Sequence, residues 1–242
     1  MSASPPPEGP TSLATVSRNG RSLAPVSPGG PLIMLADPHS PAAEAYRSLA
    51  ATLQFAHAER PLQTIGVTSS SAGEGKSNTT ANLAIALAEG GRRVIVIDAD
   101  LRRPGLHTLF GVAGQEGLAN VLLGDHTQLP LLDTPAPGVW LLASGSTRGN
   151  PLEALASRRF EEVVALARTQ ADFVLVDTAP AGALADAAVL APRLEGILLV
   201  VSAGRTKRDL ARRAREQLER VNANLLGVVL TDVRGDDKLY KY

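Results

Sequence analysis

Residues 44–57 read EAYRSLAATLQFAH, and Tyr46, Leu49, Leu53 and Ala56 recur at three- to four-residue spacing. That period puts them on one face of a helix. Further along, apolar runs without polar alternation occupy residues 65–68, 94–98, 139–143, 173–177, 197–202 and 226–231. Such runs are strands covered on both faces. Helical stretches lie between them, at residues 78–89, 151–168 and 208–221. Alternating strands and helices predict an α/β fold, with a mostly parallel central sheet and helices on both faces. In such sheets ligands bind beyond the C-terminal strand ends. There is no internal repeat.

Residues 1–36 break the pattern. They are rich in Pro, Gly and Ser, with Pro5, Pro6 and Pro7 in a row, and bury too little apolar surface to offset their ordering entropy. The expectation is a disordered tail, then one domain over residues 37–234, then a flexible C-terminal tail over 235–242. The chain has no cysteine, which excludes disulfides, thiolate metal sites and cysteine nucleophiles. Its formal net charge is zero, so no global field draws in nucleic acid or an anionic membrane. No apolar run approaches the ~18 residues needed to cross a bilayer. Ser and Pro follow Met1 where a signal peptide would be apolar. These features fit a cytoplasmic protein that reaches a membrane only through a partner.

The strongest chemical signal is SSSAGEGKSNTTANLA, residues 69–84, at a strand-to-helix junction. Gly73 and Gly75 allow the backbone to turn N–H groups around phosphate oxygens, and the following helix offers its positive end. In a phosphate loop Lys76 reaches the β- and γ-phosphates and Ser77 holds Mg²⁺. The motif G-x-x-x-x-G-K-[ST] is met except at its first position, where Ser70 stands. The expected nucleotide-binding set is Ser71, Ala72, Gly73, Glu74, Gly75, Lys76, Ser77 and Asn78, with Arg102.

Two predicted strands end in acids: one runs into Asp98-Ala99-Asp100-Leu101-Arg102-Arg103, the other into Asp177. Both deliver carboxylates to the edge that holds the loop. Asp98 and Asp177, with Ser77, are the expected Mg²⁺ ligands, directly or through water. Either Asp98 or Asp100 is placed to take the proton of an attacking hydroxyl. Arg102 and Arg103 read equally as phosphate contacts or as a solvated pair. The chain holds three tyrosines, of which Tyr240 and Tyr242 lie in the final KLYKY. A mobile chain end suits a phosphoacceptor.

Taken together, the segments resemble the bacterial tyrosine kinases of capsule and exopolysaccharide biosynthesis. The resemblance runs from about residue 40 to the end. It includes the phosphate loop, DADLRRPGLHTLFG (98–111, similar to the second nucleotide motif), GLANVLLG (117–124), ASGSTRGNPLEALAS (143–157), VDTAPAGALADA (176–187) and the terminal tyrosines. It implies a P-loop fold of the partition-ATPase type, ATP and Mg²⁺ as cofactors, and autophosphorylation of Tyr240 and Tyr242 in trans between subunits. It also implies a homo-oligomeric ring, a separate membrane activator of the polysaccharide co-polymerase type, and control of polysaccharide polymerisation and export. The ring motif Glu-x-x-Arg-x-x-Arg maps onto Glu44 and Arg47, with Ala50 in place of the last Arg. Thr231 stands where the family usually has an adenine-binding Asn, and Ala179 where Pro is common.

Two other readings compete. A partition- or division-type ATPase switch shares the fold, but its extra loop lysine would fall at position 71, which is Ser71. A degenerate regulator of a polysaccharide export complex would not need Lys76, Ser77, Asp98, Asp100 and Asp177 all in place. His39, His57, His107 and His126 lack metal-ligand spacing, and Trp140 reads as core.

Overall fold

The computed structural model describes residues 32–55, 62–126, 128–182 and 185–233. Residues 1–31, His57, Tyr240 and Tyr242 lie outside them. The strands are β1 (Thr64–Ser69), β2 (Val94–Asp98), β3 (Leu132–Asp133), β4 (Val139–Leu142), β5 (Phe173–Asp177), β6 (Gly196–Ser202) and β7 (Leu225–Thr231). They form one sheet in the order β3-β4-β2-β5-β1-β6-β7. Every neighbouring pair is parallel except β3 with β4. The helices are α1 (Ile33–Ala36), α2 (Pro41–Phe55), α3 (Lys76–Glu89), α4 (Leu106–Phe110), α5 (Leu118–Leu123), α6 (Pro151–Ala156), α7 (Arg158–Gln170), α8 (Ala185–Leu190) and α9 (Arg208–Arg220).

Strand alternation feeds two apolar layers. Val174 and Val176 of β5 join Ile95, Ile97, Leu199 and the α7 residues Phe160, Val163 and Ala167 on one side. Phe173 and Leu175 join Val94, Val96, Ile65 and the α3 residues Leu83 and Leu87 on the other. All six expected strands are present; β1, β2 and β5 are buried along their length, whereas the edge strand β7 is not covered on both faces and leaves Val228 and Leu230 exposed. This is the α/β sheet that the unbroken apolar runs predict.

Three expectations are corrected. The tail does not extend to residue 36, because Leu32 and Met34 are core residues and the Met34 N–H donates to Asn82 Oδ1 at 3.0 Å. The helix expected over 151–168 is two, since Ser157 is extended at φ −64°, ψ 155°. The Arg193 guanidinium stabilises that break by donating to the carbonyls of Leu155, Ala156 and Ser157 at 2.7–3.1 Å. Strand β3 is an addition that two residues could not announce. Trp140, expected in the core, is half-buried beside this edge, and its Nε1 donates to Asp133 at 3.1 Å.

Candidate active site

Parallel strands β1, β2 and β5 are neighbours, so their C-terminal ends bring the phosphate loop and both acidic segments together. The loop leaves β1 and enters α3 at Lys76. Gly73 and Gly75 sit at φ +80° and +89°, where a Cβ is strained. Asp98 and Asp177 are register neighbours on β2 and β5.

Lys76 lies in the middle of the cluster. Its Nζ is 2.8 Å from Asp100 Oδ2 and 3.3 Å from Asp177 Oδ2, and donates to Ser77 Oγ at 3.1 Å. Ser77 Oγ donates to Asp177 Oδ2 at 2.5 Å. Burial opposes the Lys76 charge, but the carboxylates of Asp177 and Asp100 outweigh it and hold its pKa above the usual lysine value. Asp98 Oδ2 accepts from the N–H groups of Gly105 and Leu106, both at 3.1 Å, while its Oδ1 is buried without a partner. Burial first, then the charge of Asp177, lifts the Asp98 pKa from 3.8 to about 8. Burial likewise raises that of Asp177. Three carboxyl groups thus lie around one ammonium, and the orphaned Asp98 oxygen suits a cation that would displace its proton. Among the described residues no three acidic or His side chains converge as a metal cage. The set Ser77, Asp98 and Asp177 therefore fits Mg²⁺, which keeps waters and takes phosphate oxygens, and does not fit an all-protein site.

Glu74 braces the loop with its side chain. Its carboxylate turns back into the loop instead of facing a ligand. Oε2 accepts from the N–H groups of Ser70 and Ser71 at 2.8 and 3.0 Å, and Oε1 from Ser70 Oγ at 2.7 Å and Thr206 Oγ1 at 2.5 Å. Its carbonyl accepts from Thr231 Oγ1 at 2.7 Å. Ser70 at the first motif position is thereby a partner of Glu74, 2% exposed. Glu74→Ala leaves these donors without an acceptor, a loss of ~1–3 kcal/mol. The variant is expected to melt earlier and to bind nucleotide about tenfold more weakly. An unchanged thermal melt and an unchanged nucleotide titration would remove the brace.

The remaining expected residues divide. Ala72 and Gly73 are exposed at the loop tip. Asn78 lies in the first turn of α3 and accepts from Asn82 Nδ2 at 2.9 Å. Arg102 pairs with Asp186, so the reading of a solvated Arg pair does not hold for it. Arg47, an implied ring contact, is engaged within its own protomer: Nε donates to Glu89 at 2.9 Å and Nη1 to the Pro38 carbonyl at 2.8 Å. Glu44 is exposed and approaches Arg47 at 3.4 Å. Ala50 is 3% exposed in the layer under α2, where the missing Arg would meet core.

Residues 65–241 match the CobQ/CobB/MinD/ParA nucleotide binding domain. The chain is 36% identical over 200 residues to tyrosine-protein kinase YwqD of Bacillus subtilis (strain 168), covering 82% of this chain and 84% of that one. It belongs to the bacterial tyrosine kinases. The kinase is also 38% identical over 206 residues to EpsB of Ralstonia solanacearum, 85% of this chain but 27% of that longer one. Among solved structures it is similar to the kinase domain of Escherichia coli tyrosine kinase ETK, with a TM-score of 0.80 and 31% identity over 84% of this chain and 80% of that one. The septum site-determining protein MinD of Pyrococcus horikoshii OT3, complexed with Mg-ADP, gives a TM-score of 0.59 and 29% identity, covering 69% of each chain. The partition-type P-loop fold is therefore right, and among the described residues no helix of the kinase is long and apolar enough to cross a membrane.

Two partners of the site escape the sequence pattern, Asp186 and Thr206. Asp186 lies within the 176–187 segment, in the first turn of α8, without an expected role there, and Thr206 sits in the loop between β6 and α9.

Proposed function

We propose that the kinase transfers the γ-phosphoryl group of ATP to Tyr240 and Tyr242 of its own tail, in trans between subunits of a homo-oligomer. The observation that carries this reading is where the tail starts. Strand β7 ends at Thr231, whose hydroxyl bonds to the phosphate loop at Glu74 and whose side chain lies against Gly75. The last described strand therefore ends beside the phosphate loop. Thr231 also occupies the place where base recognition is expected, and it braces that loop with its hydroxyl.

In this reading Lys76 and the loop N–H groups hold the β- and γ-phosphates, and Ser77 with Asp177 holds Mg²⁺. The ion would supply charge neutralisation on the phosphate oxygens. Asp98 serves better than Asp100 as proton acceptor. Asp100 is occupied by Lys76 and by the Arg103 N–H, whereas Asp98 has a free oxygen and a pKa of about 8, near working pH. The bond from tyrosine Oη to phosphorus forms as that to the β,γ-bridging oxygen breaks. ADP leaves with the electron pair, and the phenol proton passes to the carboxylate. Tyr46 is no acceptor, because it packs against the core of α2 and α3. Phosphorylated tails add charge and loosen the assembly. A membrane activator of the polysaccharide co-polymerase type recruits the kinase to the inner membrane face and links it to polysaccharide polymerisation and export.

Intact-mass spectrometry after incubation with ATP and Mg²⁺, with and without such an activator, tests the proposal. The expected gain is one or two phosphates that map to Tyr240 and Tyr242 and vanish in the Tyr240→Phe/Tyr242→Phe variant. Mixing that variant with Lys76→Met protein should label only the Lys76→Met tail, since transfer is between chains. ATP hydrolysis without tyrosine phosphate would instead favour the ATPase switch, and absence of both hydrolysis and ATP binding the degenerate regulator.

A further inference from the structure

Arg102 follows the acidic end of β2, two residues after Asp100. Its Nε and Nη2 donate to Oδ2 and Oδ1 of Asp186 at 2.6 and 3.1 Å. This is the paired-fork geometry that fixes a guanidinium in plane and direction. The fork is closed at one end and open at the other. The Asp186 side chain is 1% exposed and that of Arg102 37% exposed, and among the described residues Nη1 has no partner.

The pair also spans the site. Arg102 belongs to the segment that carries Asp98 and Asp100. Asp186 stands in the first turn of α8, after the segment that begins at Asp177. Since Asp98 and Asp177 are direct neighbours in the sheet, the ion pair joins the two acidic segments across their shared edge. An unheld arginine carries about 2 kcal/mol of rotamer entropy, and a buried bidentate partner removes that freedom before a ligand arrives.

We infer that Asp186 is a positioning residue, holding Arg102 so that its open guanidinium edge meets the phosphoryl group during transfer. The inference rests on the phosphoryl-transfer reading above. Asp186 itself touches neither substrate nor the reacting atoms, so its whole effect passes through Arg102.

A double-mutant cycle on the full chain tests this. Asp186→Asn keeps the shape and gives up the charged fork; Arg102→Lys keeps a cation for Asp186 and gives up the planar edge. Each is expected to lower kcat for tyrosine phosphorylation about tenfold with the KM for ATP within about twofold. The double variant should be no slower than either single one. Full kcat in Asp186→Asn would overturn the inference, as would losses that multiply in the double variant. A lower melting temperature with unchanged kcat would do the same, since it reports a structural pair alone. If the wild-type chain hydrolyses ATP but labels no tyrosine, the tail reading fails on its own. The cycle is then read on hydrolysis, where non-additive losses still support the role of Asp186 and multiplied losses overturn it.

Discussion

Lys76→Met is expected to abolish tyrosine phosphorylation and, at neutral pH without nucleotide, to destabilise the domain. The first effect follows from the loop, since methionine keeps the stem and loses the ammonium that neutralises phosphate charge. The second follows from the partners of Nζ. Asp100 and Asp177 are 3% and 0% exposed, and Lys76 is the ammonium that faces both. Removing one member of a buried ion cluster costs about 3–5 kcal/mol when the remaining charge stays uncompensated. Asp177 limits that cost by taking up a proton, so its folded pKa, already raised by burial, moves further from the unfolded value. A raised folded pKa gives stability that is complete below the unfolded pKa and is lost as pH rises through the folded one. The variant should therefore approach wild-type stability near pH 4 and fall further behind it as pH rises toward neutral and above. Melts across that range, beside intact-mass spectrometry, check both parts. Phosphate on the tail of the isolated variant would sink the assignment of Lys76. A constant gap between variant and wild type at every pH would sink the account of its partners.

The core of the site was legible because its chemistry is local in sequence. Gly73, Gly75, Lys76 and Ser77 announce a phosphate loop through spacing alone, and Asp98 and Asp177 stand at the ends of unbroken apolar runs. The sheet was legible for a related reason: strands covered by helices on both faces need no polar alternation, as β2 and β5 show. What escaped depends on contacts distant in sequence. Arg102 reads equally as a phosphate contact or a solvated residue, and the Asp186 that holds its fork comes 84 residues later. Glu74 reads as a member of the nucleotide-binding loop, and its bracing side chain shows only when Thr206, 132 residues away, joins the donors around its carboxylate. Position 157 reads as mid-helix because the Arg193 that stabilises its break comes 36 residues later. Residues 32–36 read as tail because five apolar residues are outweighed by the Pro, Gly and Ser before them.

Asp98→Asn is expected to do the opposite of Lys76→Met to stability while sharing its effect on activity. Asparagine retains an oxygen for the Gly105 and Leu106 N–H groups, both 3.1 Å from Asp98 Oδ2. It replaces the orphaned Oδ1 with an amide that needs no proton to stay neutral. In the wild-type chain without nucleotide, burial and the Asp177 charge hold the Asp98 pKa at about 8. Between about pH 4 and pH 8 the folded state carries a proton there that the unfolded state lacks, so stability declines across that window. The variant has no such group. At pH 8, with chelator present, it should be the more stable of the two and melt several degrees higher. Its advantage should shrink to nothing near pH 4. Tyrosine phosphorylation should fall about a hundredfold or more, as expected for a lost proton acceptor. Stability rising as activity falls would show that the carboxylate is kept at the sheet edge for chemistry, against the folding preference of its surroundings. A variant that gains no stability at pH 8 would mean that Asp98 is ionised and well solvated in the free protein. One that keeps full activity would pass the proton-accepting role to Asp100, which would then have to leave Lys76 to perform it.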